Sequence, residues 1–168
     1  EVDAEKCMGC GMCVAACPIG AIARPGVSNA EVAVQIQIKK QKNVPALVVF
    51  VCDWSLRVDE DIDILESYPD NVRVIHIPCS GRIDPQMALM GLNSGIDGVM
   101  VCGCAPGECH FKRGNYVSTC KMSLLDRMMG QMDLADGRVR FVQIGTQDRG
   151  RIRHEVDAML ASLQKEVA

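Results

Sequence analysis

Leu47-Val48-Val49-Phe50-Val51 is a continuous apolar run with no polar alternation, and Cys52, Asp53 and Trp54 follow it at once. An unbroken β-branched and aromatic run of this length predicts a strand buried on both faces, the habit of parallel sheets covered by helices. Residues 72–77 and 98–101 read the same way, and 138–144 gives a fourth strand. Segments of helical periodicity stand between and after them. They are residues 61–68, with Asp59-Glu60-Asp61 at the N-terminus; a segment opened by Asp84 as N-cap and Pro85 at the first helical position; and residues 118–132, with Leu124, Leu125, Met128, Met129 and Met132 on one face. A last helix carries Ile152, Val156, Met159, Leu160 and Leu163. Strands alternating with helices predict an α/β fold, a three-layer domain with a parallel sheet of about four strands.

Composition narrows the function. Lys and Arg number 18 against 21 Asp and Glu, a net charge of −3, so the basic excess of a nucleic-acid-binding surface is lacking. Aromatics are 4%, while Cys and Met number ten each, which makes sulfur the anomaly. Small secreted disulfide scaffolds are also cysteine-dense, but they lack aliphatic runs of this kind. The longest apolar run, residues 46–52, is far too short to span a membrane, and no charged leader with an apolar stretch opens the chain. The reading is a cytoplasmic protein in which clustered cysteines serve metal or redox chemistry. A start at Glu1, without Met and a few residues before a cysteine motif, reads as a segment of something longer.

Three parts are expected: residues 1–28, rich in Cys, Gly and Ala; a linker over 29–43; and the α/β domain over 44–168. In the linker, Val32, Val34, Ile36 and Ile38 alternate like a strand, yet Ser28-Asn29-Ala30-Glu31 fits a capping box, which favours a helix through Lys40.

Cys7-x-x-Cys10-x-x-Cys13-x-x-x-Cys17-Pro18 is the bacterial ferredoxin run, in which closely spaced thiolates converge on a 4Fe-4S cluster. Gly9 and Gly11 let the backbone wrap tightly, and Pro18 sets the turn after the last ligand. Structural zinc instead takes paired knuckles separated by a longer loop. In two-cluster ferredoxins the fourth cysteine of such a run serves the other cluster, so Cys17 can belong to a centre other than that of Cys7, Cys10 and Cys13.

The α/β part holds Cys52, Cys79, Cys102, Cys104, Cys109 and Cys120. Cys52, Cys79, Cys104 and Cys109 fall at or just beyond the carboxyl ends of predicted strands, the edge where open α/β sheets bind ligands, and they are the expected quartet. Cys104 and Cys109 bracket Ala105-Pro106-Gly107-Glu108, a loop short enough to aim amides at sulfur. Cys102 is expected to pack against the sheet, and Cys120, beside Leu124, to be a buried small hydrophobe. Spacing alone leaves an iron–sulfur cluster and structural zinc both open. A dithiol centre is disfavoured, because this part has no C-x-x-C and the single-residue spacing of Cys102 and Cys104 strains a disulfide.

Phe50-Val51-Cys52-Asp53-Trp54-Ser55, Pro78-Cys79-Ser80-Gly81-Arg82-Ile83-Asp84-Pro85 and Gly103-Cys104-Ala105-Pro106-Gly107-Glu108-Cys109-His110-Phe111 resemble, in order and spacing, the delta subunit of methyl-viologen-reducing hydrogenase. The resemblance covers roughly residues 44–165 and implies an iron–sulfur electron-transfer protein with a 2Fe-2S cluster. The ferredoxin run resembles the C-terminal iron–sulfur segment of the A subunit of heterodisulfide reductase, and fusions of the two parts occur. Together they imply a component of an oxidoreductase complex that relays electrons between a hydrogenase or formate dehydrogenase and a flavin-based, electron-bifurcating heterodisulfide reductase of a strict anaerobe, as in methanogenesis. The same module also suits an anaerobic benzoyl-coenzyme A reductase. The family commonly has extra cysteines where this chain has Val51 and Ser55, which leaves four motif cysteines, the number that a 2Fe-2S cluster requires.

No Gly-rich phosphate loop, nucleophile elbow or acid/base pair supports a substrate site, so no catalytic residue is expected. The rival reading is a docking module whose α/β cysteines hold zinc or nothing. Arg82, in the turn after Cys79, is placed to raise a cluster potential or to pair with Asp84. Trp54 is a candidate to shield the site from water or simply to pack, and His110 to bond a cluster sulfur, line a partner interface or cap its loop. His76, His154, the methionines of residues 122–132 and the Arg149, Arg151 and Arg153 series are read as core or solvated surface.

Overall fold

The computed structural model describes residues 2–38, 40–55, 67–134, 137–145, 147–148 and 150–167. In chain order the elements are α1 (Met12–Ala16), α2 (Asn29–Gln35), β1 (Leu47–Cys52), β2 (Val72–Ile77), a 3₁₀ turn (Ser80–Arg82), α3 (Pro85–Asn93), β3 (Gly98–Cys104), α4 (Gly114–Gln131), β4 (Val139–Ile144) and α5 (Arg151–Val167). The four strands form one sheet of order β2-β1-β3-β4, every pair parallel, as the buried apolar runs predict.

Residues on the two faces of the sheet feed different cores. Val48, Phe50, Ile75, Ile77, Val99 and Val101 meet α2, α3 and α4 through Val32, Met87 and Met122. Leu47, Val49, Val51, Met100, Cys102, Val142 and Ile144 meet α5 through Ile152, Val156, Met159 and Leu163. Three layers result, with the central strands β1 and β3 buried along their whole length. Asp97 ties the opposite edge together: its carboxylate accepts from the Ala46 amide at 2.8 Å and from Lys40 at 2.6 Å, and its carbonyl accepts from Arg138 at 2.7 Å.

Two helix starts follow from their caps. Ser28 and Glu31 form the expected capping box on α2, and Asp84 caps α3 by accepting from the Gln86 amide at 2.8 Å, with Pro85 at the first helical position. Other boundaries differ from the sequence reading. α2 ends at Gln35 rather than Lys40: Val32 and Ile36 reach the core, and the next position on that face is Lys40, drawn off to Asp97. α4 begins at Gly114 rather than 118, because Gly114 and Asn115 are buried under the cysteine loop. Its core stripe is Met122, Leu125 and Met129; Leu124, Met128 and Met132, expected on that face, are 60%, 50% and 64% exposed. Cys120, expected buried, is exposed for the same reason, since the 18-residue helix buries one narrow stripe. Of the predicted helix 61–68, residues 61–66 lie outside the described residues.

Met159 is fully buried between β3 and α5, on the face turned away from α2, α3 and α4. Met159→Ala should lower the unfolding free energy by about 2–5 kcal/mol, measured by urea denaturation.

Candidate metal centre

In the order β2-β1-β3-β4 the chain leaves β1 toward one edge of the sheet and leaves β3 toward the other. A crevice opens at such a switch point beyond the strand ends. The residues closing these two strands are Cys52 and Cys104, whose sulfurs lie 3.9 Å apart. Cys79 follows β2 and caps the 3₁₀ turn, and Cys109 stands at the far end of the loop after β3.

Glycine makes the convergence possible. A Cβ on Gly114 would fall 2.0 Å from the Cys79 sulfur and 3.5 Å from that of Cys109, so the start of α4 can lie against both only without a side chain. Gly103, between Cys102 and Cys104, lets the 3₁₀ turn close on β3: a Cβ there would meet Ser80 Oγ at 2.6 Å. The loop 105–109 is pinned from α4, where Asn115 Nδ2 donates to the Ala105 carbonyl at 2.8 Å and Tyr116 Oη accepts from the Gly107 amide at 3.1 Å. None of Gly114, Asn115 and Tyr116 stands out in the sequence; the Gly-Asn pair soon after Cys109 was the available signal.

The sulfurs share protons and amides. Hydrogen bonds from the Cys104 and Cys79 thiols, with the Trp54 and Ser80 amides, hold Cys52 well below the usual thiol range in spite of burial. Cys79 and Cys104 are pushed up, first by donating to Cys52 and then by burial. The amides of Gly81 and His110 point at the sulfurs of Cys79 and Cys104 and favour negative charge there. Four thiols at one crevice, with amides aimed at three of them, suit an anionic thiolate metal centre, although no three donor side chains among the described residues are drawn to single-ion spacing. Cys102 stays out, as expected: it is buried toward α5, and burial pushes its thiol up to about 12. Trp54 stacks face to face on His110, ring centroids 3.4 Å apart, with Phe111 edge-on to both, and this half-exposed aromatic group flanks Cys52 and Cys109. His76 lies exposed beside Asp53, and His154 is exposed on α5. Arg151 and Arg153 pair with acids on and before α5, and Arg149 lies outside the described residues.

The first motif surrounds α1. Gly9 and Gly11 adopt φ of 72° and 77°, the left-handed conformation that suits glycine, and let the chain turn between Cys7, Cys10 and Cys13. The Cys17 sulfur accepts from the Ala21 amide at 3.3 Å. Burial pushes the Cys17 thiol up, but the Ile19, Ala21, Ile22 and Gly20 amides together outweigh that push and lower it. All ten cysteines are free thiols. The motif rests on the 3₁₀ turn, where a Cβ on Gly81 would meet Met12 Cγ at 2.9 Å and one on Gly11 would meet Arg82 Cδ at 2.9 Å. Arg82 is fully buried and, instead of pairing with Asp84, donates to the Val27 carbonyl at 2.6 and 3.0 Å and to Asn29 Oδ1 at 2.8 Å.

A thiol quartet at the switch point of a parallel sheet, with a ferredoxin run packed beside it, defines a cysteine-rich α/β protein of the iron–sulfur type. The chain belongs to the family described as methyl-viologen-reducing hydrogenase, delta subunit, which matches residues 47–165, and a 4Fe-4S binding domain matches residues 1–23. The A subunit of the ferredoxin:CoB-CoM heterodisulfide reductase of Methanosarcina mazei is 33% identical over 198 residues, covering 98% of this chain and 25% of that protein. The iron-sulfur D subunit of the F420-non-reducing hydrogenase of Archaeoglobus profundus is 33% identical over 124 residues, covering 71% of this chain and 90% of the relative. The corresponding iron-sulfur protein of the F420-non-reducing hydrogenase vhc of Methanococcus voltae is 35% identical over 97 residues, covering 56% of this chain and 67% of the relative. The chain thus spans about a quarter of the length of the heterodisulfide reductase relative and most of the Archaeoglobus hydrogenase relative. These relatives are named as subunits of oxidoreductase complexes. No helix among the described residues is long and apolar enough to cross a membrane.

Gly114→Ala puts a methyl group where the Cys79 sulfur lies. If the quartet is a metal centre, the variant should bind at most half as much metal per chain as the wild type while keeping its far-UV circular dichroism, checked by metal analysis of anaerobically prepared protein.

Proposed function

We propose that this chain relays single electrons through two centres: a 4Fe-4S cluster on Cys7, Cys10, Cys13 and Cys17 within residues 1–28, and a 2Fe-2S cluster on Cys52, Cys79, Cys104 and Cys109 within residues 44–168. The observation that carries the reading is the meeting of both motifs at one 3₁₀ turn, where Cys79 opens the turn and Gly81 and Arg82 receive Met12 and Gly11. Electron relays need centres close together, and this turn is their shared support.

When bound, such clusters accept and release one electron at a time. The chain's own residues bury Cys52, Cys79 and Cys104 away from water, and the amides of Trp54, Ser80, Gly81 and His110 stabilise negative charge on the sulfurs. No acid/base or nucleophilic chemistry is assigned to the chain, which acts as an electron-transfer component of an oxidoreductase complex. By analogy with its relatives, its neighbours are a hydrogenase or formate dehydrogenase on one side and an electron-bifurcating heterodisulfide reductase-type assembly on the other, in the cytoplasm.

Iron and acid-labile sulfide per chain, with EPR of the dithionite-reduced protein, test the proposal. About six irons and two distinguishable signals are expected, four plus two. Cys79→Ser should abolish one signal and leave the other. About four irons with one zinc, or a Cys79→Ser variant that weakens partner binding without spectral change, would overturn the relay in favour of a docking module.

A further inference from the structure

Among the described residues Arg82 is the largest fully buried side chain, and its guanidinium remains charged in any protein environment. Buried charges are normally paired, because leaving water without a partner strongly disfavours the charged form. Among the described residues Arg82 has no ion pair within 4.0 Å. Its hydrogen bonds go to the Val27 carbonyl and the Asn29 amide oxygen, with a long contact of 3.7 Å to Met87 Sδ, and all three acceptors are neutral. Asp84, the carboxylate whose charge bears on Arg82, makes its hydrogen bond to the Gln86 amide as the cap of α3.

What the side chain lies against is the first motif. Its aliphatic stem packs under Gly11, between Cys10 and Cys13, so closely that a Cβ on Gly11 would be 2.9 Å from Cδ and 3.4 Å from Cγ. Its electrostatic neighbours are Asp84 and Cys13. A buried cation without a carboxylate partner, set beneath a loop of cysteines, calls for an anion in that loop. Cys79, which opens the same turn, stands three residues away in sequence, and the cysteine whose charge bears on Arg82 is Cys13.

We propose that Arg82 is a positioning and tuning residue of the relay: it clamps residues 11, 27 and 29 onto the 3₁₀ turn and supplies the positive charge that stabilises the reduced form of the first centre. This rests on the reading of Cys7, Cys10, Cys13 and Cys17 as ligands of a 4Fe-4S cluster. Each reduction adds one negative charge, so a nearby cation raises the potential.

The test is an EPR-monitored redox titration of the full-length protein. Arg82→Met should lower the equilibrium constant for one-electron reduction of the first centre at least tenfold, about 59 mV, and shift the second centre less. Arg82→Lys keeps the charge and should retain most of the wild-type potential. Asn29→Asp separates clamp from charge, because a carboxylate 2.8 Å from Arg82 strengthens the contact while cancelling the cation. It should lower the first-centre potential in the direction of Arg82→Met without loss of iron. An unchanged potential in Asn29→Asp, or Arg82→Lys falling as far as Arg82→Met, overturns the charge role. If Arg82→Met fails to hold the first cluster, Asn29→Asp still decides. A wild-type protein with no 4Fe-4S signal overturns the functional reading itself.

Discussion

Sulfur atoms from three separate loops can meet only where no side chain stands between them, and Gly114 is where that constraint is tightest. With a Cβ there the Cys79 sulfur would have to move away from the helix start to which Asn115 and Tyr116 fasten the loop 105–109. The same absence of bulk recurs at Gly103 against Ser80 and at Gly81 against Met12. Removing side chains destabilises an isolated loop, because glycine loses the most freedom on folding. Here the parallel sheet offsets that cost by holding Cys52 and Cys104 at the ends of two strands that are buried throughout.

The 3₁₀ turn joins the two cysteine motifs. Three consecutive residues do different work: Ser80 fits the gap at Gly103, Gly81 receives Met12 and aims its amide at Cys79, and Arg82 carries its charge beneath Gly11. The first motif is therefore seated on the α/β part by packing and by backbone carbonyl contacts. A ferredoxin run on a free tether would have neither.

Much of this was legible in the sequence. Unbroken apolar runs implied four parallel strands, and the caps at Ser28 and Asp84 lie where the residue types put them. Cys102 is expected to pack against the sheet if the third strand runs on past Val101, and the strand does run to Cys104 with Cys102 in the core, while Cys52, Cys79 and Cys104 lie together at one edge. Cys120 and the Leu124, Met128 and Met132 stripe misled, since apolar periodicity says which residues share a helix face but not which face the sheet covers. Lys40 ended α2 early through a partner 57 residues away, a signal invisible to local pattern. The role of Gly114 needs the third dimension too, because nothing near it in sequence shows that Cys79 will lie on top of it.

The division of the cysteines has a practical consequence for handling the protein. Cys102 is sealed in the core with its thiol protonated at neutral pH, so alkylating reagents and oxygen do not reach it while the sheet is intact. Cys120 faces solvent on α4. Outside the two motifs, a count of solvent-accessible thiols on native protein therefore starts from Cys120 rather than from zero.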